Sequence, residues 1–66
     1  MSNKYLVSLK QGIFRPEGDQ VLAVYGTLES NGTEATIGGV LTLASEDIYS
    51  VLKYEGTVNE EKIWVL

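Results

Sequence analysis

From Gln20 to Leu43 the chain alternates apolar and polar positions on either side of Asn31-Gly32. Asn-Gly favours a two-residue hairpin turn of type I′, because both central residues take positive φ. A turn centred there sets Ser30 opposite Thr33, Glu29 opposite Glu34, Leu28 opposite Ala35, Gly26 opposite Ile37, Val24 opposite Gly39 and Leu22 opposite Leu41. Residues two apart share a face of a strand, so this register is testable against the pleat. One face gathers Leu22, Val24, Leu28, Ala35, Ile37, Leu41 and Leu43. The other gathers Val21, Ala23, Tyr25, Thr27, Glu29, Glu34, Thr36, Val40 and Thr42. Gly38-Gly39 interrupts the second strand and reads as a bulge or bend, with the Tyr25 ring across from Gly38 to cover the bare backbone.

Around this hairpin, Tyr5-Leu6-Val7-Ser8-Leu9 reads as a strand, Gln11-Gly12 as a tight turn and Ile13-Phe14 as a short return strand. Arg15 to Gln20 holds Pro16, Gly18 and Asp19 and reads as a loop. Beyond Leu43 the period changes. Ser45 is a good N-cap, Glu46 and Asp47 suit a helix N-terminus, and Ile48, Val51 and Leu52 recur at helical spacing. With Gly56 as the stop, a helix is predicted over 46–55. A strand is the rival reading, since Ile48, Leu52, Tyr54 and Val58 also share a period-two face. Lys62 to Leu66 reads as a closing strand.

The predicted fold is α+β: a small antiparallel meander of about four strands, with one short helix before the last strand. An all-β small barrel is the alternative. The helix would cover the Leu22, Val24, Ile37, Leu41 face, with Ile48, Val51 and Leu52 against it, because a lone hairpin is marginal in water.

At 66 residues the chain has room for one domain, spanning 1–66, and one small core. With no cysteine and no histidine, disulfide and zinc support are not available, which favours a partner chain. Nine acids against five bases give a net charge of −4, which disfavours nucleic acid and anionic membrane and aids solubility. The Met1-Ser2-Asn3-Lys4 start leads into an apolar run too short for a secretory segment, and no stretch reaches the length of a membrane span. A complete small open reading frame, such as those of bacteria or their phages, and a cytoplasmic setting are the expectations. Asn31-Gly32-Thr33 matches a glycosylation sequon but reads as a turn.

Without histidine or cysteine, no triad or Cys-His nucleophile can form. Glu17 and Asp19 are too few for a calcium loop, and Glu60-Glu61 reads as a solvated turn. No enzyme activity, cofactor or metal is expected. The leading expectation is a protein-binding module, an inhibitor or modulator of a larger assembly, with a homodimer through a sheet edge as one form. The candidate partner-binding residues are Tyr5 and Tyr25, as aromatic anchors, and Glu29 and Glu34, as an acidic hairpin tip whose like-charge opposition would suit a basic partner. Two other functions are weighed: a single-strand nucleic-acid binder using the aromatics, and a minor structural subunit of a particle.

Overall fold

Alternating Tyr5, Val7 and Leu9 do form a strand, and it runs further than the sequence suggests. The computed structural model describes residues 3–66, so the Met1-Ser2 start lies outside the described residues. β1 spans Tyr5–Phe14, β2 Gln20–Gly26, β3 Leu28–Ser30, β4 Glu34–Ile37, β5 Leu41–Ala44, β6 Ile48–Lys53 and β7 Ile63–Val65. One sheet is ordered β6-β1-β2-β7 and the other β3-β4-β5. β7 lies parallel to β2 and every other pairing is antiparallel. Gln11-Gly12 is no turn but part of β1, where the register with β2 slips between Ser8 and Ile13.

The α+β expectation is overturned. Strands hold 58% of the described residues, among which the only helical turn is the 3₁₀ segment Ser45–Asp47. Ser45 does not act as the expected N-cap: it is the first residue of that turn, and Ala44 holds the cap position with no side-chain bond. Ile48–Lys53 then pairs with β1, Val51 against Val7 and Leu52 against Leu6. Six residues carrying Ile, Tyr and Val gain a ladder there, whereas an isolated ten-residue helix is marginal in water. The small-barrel alternative fails as well, because neither sheet closes. Nor is the fold a meander: the last strand crosses to the far edge of the first sheet.

The β3–β5 part of the central hairpin keeps its faces but not its register, whereas in β2 Leu22, expected inward, is exposed and Val21, expected on the other face, is buried. Leu28 pairs with Ile37, Glu29 with Thr36 and Ser30 with Ala35, so the turn centres on Gly32-Thr33. Only Gly32 of that pair has positive φ, +97°, as a turn with glycine in the first central position requires. Asn31 acts beside the turn: its Oδ1 accepts from the amides of Thr33 (3.1 Å) and Glu34 (2.9 Å). The expected long hairpin is also divided. At Thr27 the chain leaves the first sheet for the second, so Val24 lies opposite Val7 and Trp64 instead of Gly39, and Tyr25 opposite Leu6 and Val65 instead of Gly38. Gly38-Gly39-Val40 is a hairpin turn between β4 and β5, not a bend within a strand.

The core lies between the sheets. Val7, Leu9 and Val24 of the first meet Ile37 of the second, with Tyr5, Ile13, Leu28, Leu41, Leu43, Ile48, Trp64 and Leu66 packed around them. Leu22, Val51 and Leu52, expected in the core, are 60%, 45% and 59% exposed. No described helix is long and apolar enough to cross a membrane.

Candidate functional site

The four residues singled out from the sequence occupy three different places. Tyr5 is half-buried against the core, on the inner face of the first sheet with Val7. Tyr25, next to inward Val24, points to the opposite face and is buried. Its hydroxyl donates to the Tyr54 carbonyl (2.7 Å), and the Tyr54 ring meets it edge-on at 6.2 Å. Both ends of the Tyr25 side chain are thus taken up inside the molecule. Glu29 and Glu34 are exposed on the outer face of the second sheet and line one shallow depression with Ser30, Asn31, Thr36 and Thr42. They are not opposed: Glu29 faces Thr36 and Glu34 faces Ala44. The like-charge opposition that drew attention to the tip is therefore absent, and the row beside it is neutral, with Thr36 and Thr42 hydroxyls 3.2 Å apart.

A different feature stands out at the end of the first sheet. β6 is a terminal strand, paired among the described residues only with β1. Tyr49 is 75% exposed, and Leu52 and Val51 are both well exposed beside it. The backbone pattern of its open side follows from one bond. The Tyr54 amide donates to the Lys4 carbonyl (3.1 Å), continuing the register that pairs Leu52 with Leu6 and Ser50 with Ser8. Antiparallel ladders alternate, so Ser50 and Leu52 direct their N–H and C=O to β1. Val51 and Lys53 direct theirs outward. Tyr49 is the extra residue where the β1–β6 register shifts, a bulge that marks the start of this edge.

The sequence missed this edge because residues 46–55 read as a helix. The period-two rival and the β-branched and aromatic content of Ile48-Tyr49-Ser50-Val51 were the signals that could have found it.

The opposite edge of the same sheet is the short strand β7. Residues 54–62 carry the chain from β6 to β7, which caps the free side of β2. Arg15 anchors this crossing. Its guanidinium forks onto the Asp19 carboxylate and donates to the carbonyls of Glu60 (2.6 Å) and Glu61 (3.0 Å). The Arg15 hydrogen bond holds the Asp19 carboxyl below the usual carboxylate range, and the same bond raises the Arg15 guanidinium. Between the crossing and the sheet lies an open cleft of about 650 Å³, lined by Tyr25, Val65 and residues 56–61. Its acids, Glu60 and Glu61, have no histidine, cysteine or third carboxylate gathered with them among the described residues.

Comparison with protein-family models, with curated proteins and with solved structures gave no match to this chain. The reading of its function therefore rests on its own geometry.

Proposed function

We propose that this chain is a non-enzymatic protein-binding module that takes an extended segment of a partner protein along the open edge of β6. The observation that carries the reading is the outward ladder of β6, where Val51 and Lys53 present backbone groups with no partner among the described residues, beside exposed Tyr49 and Leu52. A strand added to such an edge gains main-chain hydrogen bonds along its length and apolar contacts from alternate side chains. Edge strands in stable monomers are ordinarily blunted by charge, proline, a bulge or cover, and the β6 bulge, at Tyr49, lies before the Val51 to Lys53 stretch. β6 holds one charge, Lys53 at its end, and no proline. The opposite edge strand, β7, has only three residues.

Affinity capture with parallel baits tests this. Val51→Pro removes an outward N–H while leaving the ladder to β1 intact, since proline is tolerated where the amide faces solvent. Wild type and a Glu29→Ala/Glu34→Ala double variant should retain the same partner, and Val51→Pro should lose it. Capture that survives Val51→Pro but is abolished by the glutamate changes would move the binding surface to the outer face of the second sheet and overturn the β6 reading.

A further inference from the structure

We infer that the segment β6 accepts is β6 of a second copy, antiparallel across a two-fold axis at Val51. This rests on the reading of β6 as a strand-adding edge and specifies its partner. Three observations select it.

The first is backbone parity. Only residues with outward N–H and C=O can bond an incoming strand, and Val51 is the central outward residue of the Tyr49 to Lys53 stretch. With Val51 on the axis, it exchanges two N–H···O=C bonds with its own copy, as directly opposed residues of an antiparallel hydrogen-bonded pair do. Isologous pairing of this kind is what a two-fold demands, the same strand meeting itself.

The second is side-chain complementarity in that register. Val51 faces Val51 of the second copy. Ser50 faces Leu52. Lys53 faces Tyr49, whose ring is 75% exposed and offers its π face to an ammonium group. Tyr49, Val51 and Leu52, which the lone chain leaves in solvent, are covered together.

The third is charge. The chain carries −4, so two copies repel across most of their surfaces. β6 contains no acid, and the register opposes no two like charges within the strand. The competing edges are weaker: β3 carries Glu29, β7 has only three residues, and β5 has four. Pairing through β6 joins two four-stranded sheets into one continuous sheet and removes an exposed edge from each copy.

Light scattering over a dilution series, from about 1 to about 500 μM, decides the matter. The wild-type chain should move from 7.2 kDa towards twice that mass as concentration rises. Val51→Lys and Val51→Glu should each stay monomeric, because each places like charges on the axis, and both should keep the far-ultraviolet spectrum of the parent at a position already 45% exposed. An equimolar mixture of the two should recover the doubled mass. A monomeric wild type at every concentration overturns the inference, and so does a mixture that stays monomeric while the wild type dimerises. If the wild type is monomeric yet captures a partner that Val51→Pro loses, self-pairing fails and the strand-adding reading stands. If it is monomeric and Val51→Pro changes no capture, both fail.

Discussion

Ile37 is the residue on which the two sheets close. It is fully buried, and its side chain meets Val7, Leu9 and Val24 from the facing sheet. Truncation leaves a cavity in a core of few side chains. Ile37→Ala should therefore lose about 2–5 kcal/mol, comparable with the whole stability of a domain this size. Urea denaturation reads this directly, and a midpoint equal to that of the parent would contradict the packing. Asp19 acts in another way. Its carboxyl is held below the unfolded value by the Arg15 hydrogen bond. A depressed carboxylate adds stability that is fully present above its unfolded pKa, about 3.9, and that fades as pH falls through the folded value. Thermal melts of wild type and Asp19→Asn should differ at neutral pH and converge on acidification below about pH 4. A gap that stays constant with pH would show that the Arg15–Asp19 fork contributes nothing through charge.

Among the elements, the two glycines of the β4–β5 turn differ in a way that can be measured. Gly38 (φ +63°) and Gly39 (φ +72°) are both left-handed, so alanine is strained at either. At Gly38 an added Cβ would also stand 2.6 Å from the Leu66 Cβ, whereas at Gly39 it meets nothing within 4 Å. Gly38→Ala should be the more destabilising, with Gly39→Ala close to the conformational penalty alone, about 1–2 kcal/mol. Equal losses by calorimetry would mean that Leu66 does not pack on the β4–β5 turn. The central hairpin also shows what the sequence carries at this scale. Its turn lies one residue beyond Asn31-Gly32, yet Leu28, Ala35 and Ile37 still share the inward face. Moving the turn centre by one residue shifts each partner by two, and a shift of two keeps the pleat. Alternation does not reveal the crossing at Thr27, because a strand passing between sheets keeps its period. β6 was hidden for a different reason. Ser45-Glu46-Asp47 forms only one 3₁₀ turn, with no cap from Ser45, and the partner that makes the next six residues a strand lies some forty residues earlier in β1. Of the proposed site residues, Glu29 and Glu34 are surface positions as read. The Tyr25 environment depends on Tyr54, which no local pattern could place beside it.

The whole molecule is a small core between two sheets, the first of which has a short edge strand, β7, at one end and a longer one, β6, at the other. Arg15 holds the crossing that leads into three-residue β7, and β6 offers twice that length of edge with no partner among the described residues. That asymmetry explains why a chain with no disulfide would gain from a second copy at β6: the edge is apolar and acid-free on a molecule that is otherwise acidic. Amide hydrogen exchange resolved residue by residue, followed as protein concentration is raised, tests this directly. Ser50 and Leu52, bonded to β1, should be protected at every concentration. Val51 and Lys53 should exchange freely in dilute solution and gain protection as concentration increases. Unprotected Val51 and Lys53 at all concentrations would contradict self-pairing, and loss of protection at Ser50 and Leu52 would contradict β6 as a strand.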